Sequence, residues 1–239
     1  MTEHTVKAYE GELTLLDKKI AQMGGLAESI LGQAFDALER RDPRLAEVAV
    51  QSDKAIDTLE REIEDMAISM IARRQPMAND LRHIMAALHI TRDLERIGDH
   101  AKNMAKRALA IASEPYPKPL VSGLRHMVEQ ALRQLKDVLD AYAERNADMA
   151  VAVWRADEQI DAMYNSVFRE LLTYMMEDPR NIGLCTHLLF GAKNLERIGD
   201  HTTNIAETVY YLVHGVPLTD DRPKGDNTSS TLISSERDN

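Results

Sequence analysis

The sequence predicts an all-α protein built as two tandem antiparallel three-helix bundles, six helices in all, related by internal duplication. Three observations carry this. Leu, Ala, Glu, Arg and Met, all good helix formers, dominate the chain, whereas aromatic residues make up only 5% of it. Apolar residues recur in steps of three and four over long stretches. The seven residues Leu-Glu-Arg-Ile-Gly-Asp-His occur twice, at Leu94–His100 and at Leu195–His201.

The first helix is expected from about Val6 to Arg40, with Leu13, Leu16, Ile20, Met23, Ala27, Ile30 and Ala34 on one stripe. At the α-helical rise it would be roughly 50 Å long. Asp42-Pro43 reads as an N-cap followed by proline at the first helical position. The second helix follows with Leu45, Val48, Ser52, Ile56, Leu59, Ile63, Met66 and Met70 as its stripe, and Gln75-Pro76 ends it. Asn79 or Asp80 caps the third helix, which runs to Ile111. Three prolines, Pro115, Pro117 and Pro119, then stop any helix. The second half repeats the plan. A fourth helix spans about Leu120–Glu144, a fifth runs from the Asn146 cap to near Met176, and a sixth starts at Asp178-Pro179 and reaches His214. The expected organisation is therefore a bundle over 1–112, a proline-rich linker over 113–119, a second bundle over 120–214 and a disordered polar tail over 215–239.

The duplication extends beyond the signature. Asn103 and Ala105 match Asn204 and Ala206, and Asp53 and Asp57 match Asp157 and Asp161. The offset is 104 residues at the upstream acids and 101 at the signature, so the intervening stretch differs by three residues. A period near 100 is a domain duplication, not a solenoid repeat.

Bulk properties exclude several classes. A net charge of −10 without a basic run disfavours nucleic acid. Apolar runs such as Met149–Trp154 are far too short to span a bilayer, and Met1–Tyr9 holds no apolar signal core. A cytoplasmic location is expected. The single cysteine, Cys185, cannot form an internal disulfide and is expected to pack in the core, as are Trp154 and the methionines.

Four acidic pairs share one spacing: Asp53/Asp57, Glu95/Asp99, Asp157/Asp161 and Glu196/Asp200. Residues four apart share a helix face, and like charges so placed repel. Each acid is expected at the shoulder of an apolar stripe, so four carboxylates would converge at the surface of each half. Two compensations are open. One is a metal ion, for which all-oxygen ligation suits hard or borderline cations. The other is internal pairing with Arg96 and Arg197, or with nearby Arg92 and Lys193. Gly98 and Gly199 are expected to permit tight helix packing. His100 and His201 read as partners beside the acids more than as ligands, and Asn103 and Asn204 would extend the same face. Catalytic motifs are lacking: there is no Glu-x-x-His pair, glycine-rich phosphate loop, nucleophile elbow or Cys/His zinc spacing. Surface-placed acids with no enclosing pocket point to a metal-stabilised interaction surface, with a carboxylate-metal bundle enzyme and a purely structural scaffold as the alternatives.

Two three-helix halves, each with an acidic pair on the second helix and Leu-Glu-Arg-Ile-Gly-Asp on the third, resemble the PhoU family over about residues 5–214. The resemblance implies a cytoplasmic negative regulator of the phosphate regulon rather than an enzyme. It implies an adaptor between the ATP-binding subunit of a phosphate ABC transporter and a sensor histidine kinase, peripheral to the membrane only through those partners. It also implies a homodimer, and metal (Mg, Mn, Fe or Zn) at Asp53, Asp57, Glu95, Asp99, Asp157, Asp161, Glu196 and Asp200. The tail after Gly215 lies outside the resemblance. Asp93 is matched by Asn194 and is left out of the site.

Overall fold

The computed structural model describes residues 2–114, 116 and 119–219. All regular structure among them is helical: α1 Thr2–Arg40, α2 Pro43–Arg74, α3 Asn79–Ile111, α4 Pro119–Glu144, α5 Ala147–Arg155, α6 Asp157–Glu177 and α7 Ile182–His214. Pro115 and Pro117 of the expected linker, and the tail from residue 220 on, lie outside the described residues.

The start signals act as the sequence suggests. Asp42 Oδ1 accepts from the amides of Arg44 (2.9 Å) and Leu45 (3.4 Å), ahead of Pro43. Asn146 Oδ1 accepts from the Met149 amide at 3.1 Å. The third helix departs from expectation: Asn79 is already helical, and the preceding Ala78 has φ 48° and supplies no side-chain cap. Asp178 caps a single 3₁₀ turn, Pro179–Asn181, before α7 begins.

The expected fifth helix is broken into α5 and α6 at Ala156. The Ala156 carbonyl accepts from the Gln159 amide (3.1 Å) and from Gln134 Nε2 of α4 (2.8 Å). A tertiary donor and a tight turn thus take the place of the regular α bond. The break puts Asp157 at the first position of α6.

Buried side chains of both halves form one continuous core, including Ile20, Ile30, Ile56, Ile63, Ile97, Leu124, Leu135, Ile160, Leu195 and Ile198. Cys185 and Trp154 belong to it, and Trp154 Nε1 donates to Glu207 Oε1 at 2.9 Å. Met23, Met70, Met104 and Met127 are buried, but Met77 and Met176 stand at the α2–α3 and α6–α7 ends with most of their surface exposed, contrary to the expectation that the methionines are core.

α3 and α7 meet along the seam between the halves. His100 and His201, equivalent under the duplication, stack on each other with ring centroids 5.5 Å apart. His201 Nδ1 lies 2.8 Å from Asp93 Oδ1, which also accepts from Asn204 Nδ2 at 3.3 Å. Asn194, which the repeat relates to Asp93, stands beside His100, whose Nδ1 is buried without a hydrogen-bond partner. Residues related by the repeat therefore exchange partners across the seam, as an approximate two-fold axis between the halves requires.

Candidate functional site

Each half carries its acids where one helix crosses the signature helix: α2 on α3, and α6 on α7. The stripe that α2 buries is Ala46, Ala49, Asp53, Ile56, Leu59, Ile63, Ala67 and Met70. Asp53 is thus a member of the core stripe and only 4% exposed, not a shoulder residue. Asp157, Asp161 and Glu196 are likewise buried, whereas Asp57, Glu95, Asp99 and Asp200 are half-buried. The expectation of open surface sites is corrected for those four acids. The physical reason is the small residues at the crossing. A Cβ on Gly98 would stand 2.6 Å from Ile56 Cδ1 and 3.3 Å from Asp53 Oδ1, and one on Gly199 would stand 3.1 Å from Ile160 Cδ1. The helices lie too close for the acids to splay outward, so both glycines serve packing.

The two clusters are not equivalent. In the first, Lys102 Nζ bridges the helices, 2.5 Å from Asp53 Oδ2 of α2 and in contact with Asp99 Oδ1 of α3. Burial works to raise the Asp99 carboxyl, but the Lys102 hydrogen bond and charge win and hold it below its ordinary value. For Asp53 burial wins, and its carboxyl stays raised despite Lys102. Lys102 is itself pushed up: burial opposes its charge, and its hydrogen bonds to Asp53 and Asp99 outweigh it. Glu95 is raised by burial and by the charges of Asp99, Glu60 and Asp57, with only half-exposed Arg96 opposing. Glu60 is raised by burial and by Glu64 and Asp57, so it is a further member of this acidic face.

In the second cluster, three of these positions differ. Thr203 stands where Lys102 stands, Tyr164 where Glu60 stands, and Lys193 where exposed Arg92 stands. Thr203 Oγ1 lies 3.1 Å from Asp157 Oδ1. Lys193 Nζ donates to Glu196 Oε1 at 2.9 Å and lies over the Tyr164 ring. Glu196 Oε2 is buried without a hydrogen-bond partner. Burial, with Asp200 and Asp161 adding, raises Glu196 in spite of Lys193.

The supporting residues divide in the same way. Arg96 pairs with Glu95 (3.3 Å) and Asp99 (3.6 Å) from an exposed position, and Arg197 is exposed. His100, His201 and Asn204 serve the α3–α7 seam instead of lining the acids, and Asn103 is half-buried on α3. Asp93, set aside from the sequence, accepts from two of the seam residues. Lys102 escaped notice although it lies three residues after Asp99, on the same helix face.

Among the described residues no three His, Cys, Asp or Glu side chains converge closely enough to hold a metal as they stand. The donors can still be tested for fit. The second cluster fits a hard cation in donor chemistry: its acids offer oxygen only, and one buried carboxylate oxygen lacks a donor. At Asp53 and Asp99 the first cluster does not fit, because an ammonium already lies between them. None of the eight acids lines the clefts beside Glu39, Tyr116 and Arg125 or beside Asp17, Leu139 and Asp140.

The PhoU domain family model matches the chain twice, over residues 20–108 and 124–209. The phosphate-specific transport system accessory protein PhoU homolog of Rhizobium meliloti is 53% identical over 227 residues, 95% of this chain and 96% of its own. The homolog from Caulobacter vibrioides is 52% identical over 226 residues, 95% of this chain and 98% of its own. Among solved structures, PhoU from Pseudomonas aeruginosa superposes with a TM-score of 0.84 at 39% identity, covering 87% of this chain and 100% of that one. The phosphate transport system regulatory protein PhoU from Streptococcus pneumoniae gives 0.81 at 30% identity, with 88% and 99% covered. No helix of the described residues is long and apolar enough to cross a membrane.

Proposed function

The chain belongs to the PhoU family, and on that premise we propose that it is a non-catalytic accessory regulator of a phosphate-specific transport system. The observation that carries this is the near full-length match, which includes both halves and both signatures. In the finer reading it is a cytoplasmic negative regulator of the phosphate regulon and acts as a homodimer. It docks on the ATP-binding subunit of the phosphate ABC transporter and on a sensor histidine kinase. It reaches the membrane only through those partners. The eight duplicated acids lie at helix crossings and none lines the clefts beside Glu39 or Asp17, which suits docking better than turnover.

Divalent or trivalent cations (Mg, Mn, Fe or Zn) are part of the proposal. Asp157, Asp161, Glu196 and Asp200 would hold one in the second half; Asp57, Glu95 and Glu60 are the acids best placed in the first. A bound cation would supply charge neutralisation for carboxylates that burial otherwise penalises. The scaffold reading, in which basic side chains neutralise the acids, is favoured at one place, where Lys102 bridges Asp53 and Asp99.

The adaptor reading is tested by binding. The full chain, immobilised, is titrated with the purified ATP-binding subunit and with the kinase's sensory domain. Saturable binding to both is expected; absence of binding to either one, with and without Mn²⁺, removes the adaptor role.

A further inference from the structure

Lys102 and Thr203 occupy the same place after the duplicated signature, three residues beyond Asp99 and Asp200. Their chemistry differs. Lys102 brings a full positive charge to a point between two carboxylates from facing helices. Its side chain is 21% exposed, and that of Asp53 only 5%. This is the arrangement a bound cation would make: one positive centre shared by acids of α2 and α3. Thr203 is neutral. Its single hydroxyl hydrogen serves either Asp157 Oδ1 (3.1 Å) or the Gly199 carbonyl (3.0 Å). Lys193 enters the second cluster from the other end of the signature, and it leaves Glu196 Oε2 without a donor.

We propose that Lys102 is the resident cation of the first acidic cluster, so that Asp53 and Asp99 draw no divalent ion in this chain, whereas the second cluster, with Thr203 at that place, takes one. An ion entering between Asp53 and Asp99 would have to expel the ammonium. It would then leave Lys102 largely out of water beside a like charge. The duplicated halves are thereby specialised at this one place: Asp53 and Asp99 are neutralised by the chain's own ammonium, and their counterparts Asp157 and Asp200 in response to a cation. The second clause rests on the metal reading above; the assignment of Lys102 does not.

The test uses the full chain and Mn²⁺, with calorimetric titration and elemental counting after dialysis. Lys102→Thr installs in the first half the residue that the second half has. It is expected to bind about one more Mn²⁺ per chain than wild type, and its melting temperature, lowered in metal-free buffer, recovers when Mn²⁺ is added. Thr203→Lys is expected to lose the ion of the second half. If Lys102→Thr does not fold by circular dichroism, Lys102→Gln replaces it with the same expected gain. A folded Lys102 variant whose Mn²⁺ count equals that of wild type overturns the assignment of Lys102. Wild-type chain that binds no Mn²⁺ overturns the second clause, while a gain of ion by Lys102→Thr in that same experiment still upholds the first.

Discussion

Gly98 and Ile56 are held closer than any side chain at position 98 would allow, since a Cβ there would lie 2.6 Å from Ile56 Cδ1. Alanine would add roughly 1 kcal/mol of helix propensity. Overpacking fully buried Ile56 costs about 1–3 kcal/mol. Gly98→Ala is therefore expected to lower stability by about 1 kcal/mol net, read from urea midpoints. Gly199→Ala, with 3.1 Å to Ile160 Cδ1, is expected to be near neutral. In an Ile56→Val background, which removes the obstructing carbon, Gly98→Ala should become stabilising. Loss of the same size in both backgrounds would show that the close approach does not set the cost.

Asp17 ties α1 to the second half. Its carboxylate is 2.8 Å from His83 Nε2, accepts from Tyr142 OH at 2.5 Å and lies 3.3 Å from Arg145 Nη2. Burial works to raise it, but the hydrogen bonds from His83 and Tyr142 and the charges of His83 and Arg145 hold it below its ordinary 3.8. A depressed folded value means that the stabilisation is present above the unfolded value and is lost as pH falls through the folded one. Wild type should exceed Asp17→Asn by about 1 kcal/mol near neutral pH, the figure being discounted for partial exposure. That gap should close as the pH drops below about 4. A gap independent of pH would contradict the ionic origin of the contact.

Much of the fold was legible from local chemistry. Asp42-Pro43 and Asn146 start helices because capping is a property of neighbouring residues. The duplication is legible because identity at seven mixed positions cannot come from composition alone. On α2 the expected stripe holds at Ile56, Leu59, Ile63 and Met70 and is off by one residue at Leu45, Val48, Ser52 and Met66. Val48, Ser52 and Met66 offer one stripe, and Ala49, Asp53 and Ala67 the next; the structure buries the second. Alanines let α2 lie close to α3, and burying Asp53 is tolerable only because Lys102, far along the chain, meets it. The break at Ala156 depends in the same way on Gln134 of another helix. The eight acids were found as residues, and their gathering at two helix crossings follows from the repeat. Their inequality does not, because it lies in Lys102, Thr203, Glu60 and Tyr164, outside the repeated signature.

Glu196 offers a direct reading of the strain in the second cluster. Burial raises its carboxyl, and Oε2 lacks a partner. A raised folded value means that its contribution is most favourable at low pH and declines as pH rises through that value. Glu196→Gln removes the charge and keeps an oxygen for Lys193. In metal-free buffer at neutral pH it is expected to stabilise the chain by about 1 kcal/mol, or about 2–4 °C in melting temperature. Added Mn²⁺ should raise the melting temperature of wild type more than that of the variant. A lower melting temperature for Glu196→Gln without metal would contradict this account.

Regulation of phosphate-responsive genes by this chain is reached most directly by a reporter measurement. A phosphate-starvation promoter fused to a reporter is followed in phosphate-rich medium, in the parent strain, in a strain deleted for this chain, and in the deletion strain carrying the gene on a plasmid. A silent promoter is expected in the parent, a derepressed one in the deletion strain, and silence restored by the plasmid. Repression unchanged by the deletion would contradict it.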